Sequence, residues 1–215
     1  MAPERDAPVT GPRRAALAQD RSKETRRKMV RAAIELWTER GFETGVEETT
    51  VEEIARLAGV TKGTFYFHFA HKEDILQELG WGTADALYEE AVGNLTGRRS
   101  GLVVVQELLE SLARRVQSVP RAAVVRSVGS LYAIAFPDPV PGRRYLHQGL
   151  GAALEVARRQ GELPDSTDPE ELARILAAVA MDAILRWAQG DRRRLRRVLR
   201  DRAILVLAGA GATSY

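Results

Sequence analysis

From Lys23 to Arg40 the apolar positions Val30, Ala33, Ile34 and Trp37 recur at i, i+3, i+4 and i+7. That spacing is one stripe of an amphipathic helix. Gly41 follows, a residue able to close a helix in the left-handed conformation, and it turns Phe42 back toward the helix just finished. The polar stretch Glu43 to Thr49 reads as a loop. Thr50-Val51-Glu52-Glu53 has the pattern of a capping box. The short helix it opens has Val51, Ile54, Ala55 and Ala58 on its buried face. Gly59 ends that helix, Val60 points inward, and Thr61 caps a second short helix running to about Phe67. Two short helices joined by so tight a Gly-containing turn form a helix-turn-helix.

The remaining pattern is helical throughout. A long helix follows His71 and reaches about Val92, with Glu73 and Asp74 in its first turn, where the helix dipole favours acids. Gly and Arg at 97–101 mark a loop. Helices are expected over 102–119, ended by Pro120, and over 121–136. The Pro- and Gly-rich stretch Pro137 to Gly142 is a loop. Another helix spans 143–160, closed by Gly161. Asp168-Pro169-Glu170-Glu171 is a strong helix start, and that helix runs to Gln189. After Gly190-Asp191, a last helix covers roughly 192–207. No strand pair and no internal repeat is visible, so the expected fold is all-α with about nine helices. An N-terminal three-helix domain precedes a larger helical domain. The expected division is 1–21 as a flexible basic arm, 22–72 as the helix-turn-helix domain, 73–208 as the larger domain and 209–215 as a tail.

Composition changes the picture in three places. The net charge is only +3, too small to announce a nucleic-acid binder. Residues 1–31, however, hold nine Lys/Arg against four Asp/Glu, a basic end suited either to phosphate contact or to a solvated tail. The absence of cysteine excludes a disulfide framework, a thiolate metal site and a cysteine nucleophile. No apolar run approaches the roughly 20 residues of a membrane span. The N-terminus lacks the apolar core of a signal peptide, so a cytoplasmic protein is expected.

The stretch TTVEEIARLAGVTKGTFYFHFAHKEDIL, residues 49–76, resembles the tetracycline-repressor (TetR) family. The marks are Ile54-Ala55, Ala58-Gly59-Val60, Thr61, Gly63, Phe65, Tyr66, His68-Phe69, Lys72 and Leu76, with Gly41-Phe42 before them. The resemblance implies a DNA-binding transcriptional regulator, most simply a small-molecule-responsive repressor that acts as a homodimer on a palindromic operator.

Its DNA contacts are expected from Thr50, Thr61, Lys62, Gly63, Thr64, Phe65, Tyr66, His68 and Lys72. A short helix fits a major groove about 12 Å wide. Thr and Lys can reach base edges or phosphates, an apolar ring can touch a thymine methyl, and Tyr66 and His68 can donate to phosphate oxygens. Lys72, at the start of the next helix, can share a phosphate with backbone N–H groups. Phe67 and Phe69 are expected to pack inward. One departure is the longer stretch Glu43 to Glu48, whose acids would oppose phosphates if they faced DNA.

In such families the last two long helices pair with those of a second subunit. Here that implies Leu172, Ile175, Val179 and Ala183 from one helix and Leu195, Val198, Leu199 and Arg202 from the other. The run Arg192 to Arg197 reads as a solvated face or an interface rim. The family also holds an effector among its middle helices. Candidate lining is Trp81, Tyr88, Leu112, Val128 and Tyr132, then Phe136, Tyr145, His147 and Trp187, which points to a largely apolar small molecule. An enzyme has no support: there is no Ser/His/Asp set, paired-carboxylate motif or phosphate loop. His68 and His71 lack the further ligands that a metal needs. No catalytic residue, metal or cofactor is expected.

Overall fold

The computed structural model describes residues 12–96, 99–134 and 140–213, with side chains for 19–96, 99–131 and 140–213. Among the described residues all regular structure is helical. In chain order the elements are α1 (Pro12–Glu39), α2 (Phe42–Glu48), α3 (Val51–Ala58), α4 (Lys62–His68) and α5 (Asp74–Asn94). They are followed by α6 (Gly101–Gln117), α7 (Arg121–Ile134), α8 (Leu146–Arg159), α9 (Pro169–Ala188) and α10 (Leu195–Gly209). The chain divides into two compact units, Met1–Ile75 and Leu76–Tyr215.

In the first unit α1 corrects the sequence reading of the arm. The helix begins at Pro12 rather than near Lys23. Proline is compatible with a first helical turn, and the Arg13 to Gln19 stretch consists of strong helix formers. Residues 1–11 lie outside the described residues. Along α1, Met29, Ala33 and Trp37 have no exposed surface, and α1 packs on α2 and α3.

The expected loop at 43–49 is the second correction, and it adds the tenth helix. Phe42 and Val46 are buried, and the Phe42 ring meets Trp37 edge-on at 5.8 Å. Gly45 explains how so short a helix can sit against α1. A Cβ built there would lie 2.5 Å from the Trp37 carbonyl oxygen, so only glycine permits the approach. The alternation of acids with these three residues conceals about two turns of packed helix.

The helix-turn-helix forms as its sequence implies. Thr50 accepts from the Glu53 N–H while Glu53 accepts from the Thr50 N–H, the full capping box. Gly59 takes φ 69° and ψ 35°, the left-handed closure that any side chain would strain. Val60 N then donates to Ala55 O at 2.9 Å, and Thr61 caps α4 two residues after Gly59.

The second unit is organised around α6, α8, α9 and α10. Leu108, Leu150, Leu154, Ile184, Leu195 and Leu207 are almost entirely buried in one core. Asp168 caps α9 through the N–H groups of Glu170 and Glu171, with Pro169 in the first turn. The start of α6 is capped from a distance: Gly101 N donates to Gln160 Oε1 at 3.0 Å and Leu102 N to Glu162 Oε2 at 3.1 Å. Two expected helices start later than their sequences imply, α8 at Leu146 and α10 at Leu195. Asp191 holds the Arg193 N–H and guanidinium before α10, which keeps 192–194 out of the helix. Gly209, expected in the tail, ends α10, and Thr213 N donates to Glu162 O at 3.1 Å.

Candidate nucleic-acid interface

Helix α4 separates its residues by phase. Phe65 and Phe69 are four apart, both are buried, and their rings lie 5.5 Å from each other. They fasten α4 to the core of the first unit. Thr61, Lys62, Gly63, Tyr66 and Phe67 are exposed. Two expectations therefore exchange places. Phe65 has no exposed surface and cannot touch DNA, whereas Phe67, expected inside, is 82% exposed. Helix phase sets this once Phe65 and Phe69 are known to be inside. At 100° per residue, a residue two positions from each of two buried phenylalanines points away from both.

The exposed groups are held in place by local bonds. Thr61 Oγ1 accepts from Thr64 N at 3.0 Å and lies 2.9 Å from Thr64 Oγ1. A Cβ on Gly63 would meet only Thr61 Oγ1, at 3.7 Å, among the described residues, so none of them requires glycine there. The Lys62 ammonium donates to Glu52 of α3 and lies 5.9 Å from the centre of the Tyr66 ring. The bond to Glu52 raises the Lys62 pKa above its ordinary value, and the same bond lowers that of Glu52. The pair is exposed on both sides. His68 is half-buried, its ring edge-on to Phe67 at 5.0 Å.

Thr50 is exposed, but its hydroxyl belongs to a network. It accepts from Glu53 N and donates to Glu53 Oε2 at 3.0 Å. Arg40, at the end of α1, donates to both Glu53 oxygens, at 2.5 and 3.2 Å. The Arg40 guanidinium, followed by the Thr50 bonds, holds the Glu53 carboxyl down at about 2. Sequence reading missed Arg40 because nothing local links it to a residue thirteen positions on.

Lys72 is also committed. Its ammonium donates to Glu47 O at 2.7 Å and Thr49 O at 2.9 Å, the carbonyl end of α2 where the helix dipole is negative. Helix α5 starts after it, with Asp74 accepting from His71 N at 2.9 Å. An open cleft of about 340 Å³ lies between these parts. Glu47, Glu48, Thr50 and Glu52 line one side, and Tyr66, His71, Lys72 and Glu73 the other. The acids of the inserted helix thus border the same cleft as the residues expected to meet phosphate.

Of the residues expected at a subunit interface, Leu172, Ala183, Leu195 and Leu199 are buried in their own core and are corrected to core positions. Val179 and Val198 are half-buried. Arg202 is half-buried as well and bonds within the unit, to Val179 O at 3.0 Å and Asp182 Oδ2 at 2.6 Å. Ile175 is 44% exposed and Ile204 of the last helix 38%; Leu205, not foreseen, is 74% exposed. The run from Arg192 is solvated, with Arg196 paired to Glu110 and Arg197 to Asp201.

The candidate effector residues also divide. Leu112 and Val128 are packed core. Trp81 is buried, while Tyr88, Tyr145, His147 and Trp187 are half-buried. The Tyr132 side chain and Phe136 lie outside the described residues. Three of these rings carry an arginine: Arg143 over Trp81, Arg144 over Tyr88 and Arg121 over Trp187. Burial pushes the His147 imidazole below its ordinary pKa. Among the described residues, no cluster of three or more His, Asp or Glu is arranged to hold a metal, and no helix is long and apolar enough to cross a membrane.

Residues 29–79 match the family model described as bacterial regulatory proteins, tetR family. The regulator ArpR of Pseudomonas putida, a probable HTH-type transcriptional regulator, is 30% identical over 79% of this chain and 82% of its own length. The HTH-type transcriptional regulator TtgR of Pseudomonas putida is 29% identical over the same shares. Among solved structures, the Thermus thermophilus FadR repressor in complex with lauroyl-CoA is 28% identical. It covers 88% of this chain and 96% of its own, with a TM-score of 0.61.

Proposed function

The chain belongs to the tetR family of bacterial regulatory proteins, and from that premise we propose a small-molecule-responsive repressor that binds a palindromic operator as a homodimer. The observation that carries this reading is the division of α4. A buried Phe65–Phe69 face anchors a helix whose other face offers Lys62, Gly63, Tyr66 and Phe67 to solvent. In this reading Gly63 lets the backbone approach DNA. Thr61, Thr64 and Lys62 reach base edges or phosphates. Phe67 takes the thymine-methyl contact first assigned to Phe65, and Tyr66 and His68 donate to phosphates. Thr50 and Lys72 serve as positioning groups: one caps α3, the other fixes the end of α2.

One short reader helix covers few base pairs, so two copies about one helical turn apart are needed. The exposed Ile175, Ile204 and Leu205 of α9 and α10 support that pairing. Val179, Val198 and Arg202 border it. In this reading residues 22–72 bind DNA, and residues 73–208 bind effector and partner.

The effector reading rests on Trp81, Tyr88, Tyr145, His147 and Trp187 and on the lauroyl-CoA complex of the Thermus relative. A ligand shifts the population between conformations that do and do not fit the operator. That helix α5 carries residues of both units supports its reading as the transmitting element. No catalytic role is assigned, and a cytoplasmic location follows from the function. Footprinting on DNA upstream of the protein's own coding region tests the reading. A salt-sensitive, two-fold symmetric footprint is expected. Its absence in every ligand state removes the proposal.

A further inference from the structure

On α5, Glu78, Trp81, Asp85 and Tyr88 stand at i, i+3, i+7 and i+10, so carboxylates and aromatic rings alternate along one face. Two consecutive arginines from the segment before α8 occupy that face. The Arg143 guanidinium carbon lies 4.2 Å from the centre of the Trp81 ring, and its Nη1 is 3.0 Å from Glu78 Oε2. The Arg144 guanidinium carbon lies 3.6 Å from the centre of the Tyr88 ring, and its Nε is 3.7 Å from Asp85 Oδ1. Each positive charge is therefore shared between a π face and a carboxylate, the combination that retains organic cations. The Arg143–Glu78 pair is mostly buried, so its attraction is less screened than that of the outer pair.

We propose that this face of α5 is the recognition site for an organic cation with an apolar body, and that Arg143 and Arg144 are tethered stand-ins which the ligand displaces. The proposal rests on the ligand-responsive reading and adds a positive head to the apolar effector expected there. The mounting of the two parts supports displacement. Helix α5 is closely backed: a Cβ on Gly80 would run into the Leu131 side chain of α7, and one on Gly149 of α8 would meet the Leu87 and Tyr88 backbone at 3.3 Å. Residues 140–145 form no helix. Within that segment Val140 N donates to the Tyr145 hydroxyl at 2.8 Å. The row of acids and rings is fixed, and the segment laid on it is held by side chains that a cation replaces group for group. Because the arginines are tethered, they compete at high effective concentration, and removing them tightens ligand binding. The buried Trp81 indole N–H has no hydrogen-bond partner. That N–H, like the two guanidinium groups, suits an acceptor-bearing head instead, which the decanol and decanoate probes test.

The test uses the full chain and three probes with one tail: decyltrimethylammonium, decanol and decanoate, below micellar concentrations, by calorimetry and tryptophan fluorescence. The expected order is cation first, about tenfold tighter than the alcohol, with decanoate weakest. Glu78→Gln with Asp85→Asn should bring the cation to parity with the alcohol. Arg143→Gln with Arg144→Gln should tighten the cation several-fold without improving decanol equally. Tightest binding of decanoate, no binding of any probe, or weaker cation binding in the arginine variant overturns the proposal. The arginine variant decides the matter even if the acid variant fails to fold. Operator binding by the ligand-free protein is followed in parallel. Its presence alongside a decanoate preference overturns the cation class alone, and its absence overturns the regulator reading.

Discussion

Lys62 and Glu52 face each other across the turn between α3 and α4, the ammonium of the reader helix donating to a carboxylate of the helix before it. A lysine at that position meets a phosphate only by leaving its acid, and the acid then stands beside the anionic backbone. Glu52→Gln is expected to tighten binding to all DNA by about threefold to tenfold and to lower the ratio of operator to random-sequence affinity. Lys62→Ala should weaken binding several-fold and flatten the salt dependence by about one unit of log–log slope. Fluorescence anisotropy at several salt concentrations reads both. Unchanged affinity in Glu52→Gln would mean that the pair has no bearing on DNA.

The phenylalanines of α4 should separate stability from binding. Phe65→Ala removes a fully buried ring and should cost about 3–5 kcal/mol by denaturant unfolding. Phe67→Ala removes an exposed one and should leave unfolding within about 0.5 kcal/mol of the parent while weakening operator binding at least several-fold. Normal operator affinity in Phe67→Ala would return that ring to a bystander.

The Glu53 network sets an acid limit. Its carboxyl is held at about 2 in the folded protein, against an ordinary value of 4.5. A depressed folded value means that the stabilisation is complete above the ordinary value and is lost as pH falls from there toward 2. Glu53→Gln should therefore melt below the parent at pH 7, and the gap should close between about pH 4.5 and pH 2. Thermal melts across that range check it, and a gap independent of pH would remove Arg40 and Thr50 as the cause.

Gly45→Ala sets a Cβ against the Trp37 carbonyl. Overpacking of this kind typically costs about 1–3 kcal/mol. The loss should appear in chemical unfolding of the first unit, with the second unit unaffected. Gly63→Ala, which meets no protein atom closely, should leave stability nearly unchanged and weaken DNA binding.

For pairing, Leu205→Glu with Ile204→Glu places two charges on the exposed apolar strip of α10. Sedimentation should report monomers where the parent is dimeric, with folding preserved because neither residue belongs to the packed core. Persistence of the dimer would move the interface elsewhere.

These elements also mark how far the sequence could be read. Helix starts carried by a cap were legible, because Thr50, Thr61 and Asp168 act within three residues of themselves. The reader helix was legible as a segment but not as faces, since five aromatic or apolar-looking positions in a row hide which of them the core claims. Helix α2 was illegible because its evidence is not periodicity but the absence of a side chain at Gly45, meaningful only with Trp37 beside it. On α9 and α10 the buried and exposed apolar residues are equally hydrophobic. Leu195 and Leu205 differ only in which neighbour reaches them. The same holds for Arg143 and Arg144, whose partners lie on α5, more than fifty residues earlier.

The tryptophans give this arrangement a practical consequence. The chain has three, and they sit in unlike surroundings. Trp37 is sealed in the first unit, without exposed surface and without a partner for its indole N–H. Trp81 and Trp187, in the second, lie under the guanidinium groups of Arg143 and Arg121. An indole in an apolar enclosure emits at shorter wavelength than one beside a charged group. The Trp81→Phe, Trp187→Phe double variant therefore reduces the chain to a single chromophore that reports on the DNA-reading unit alone, without any attached dye.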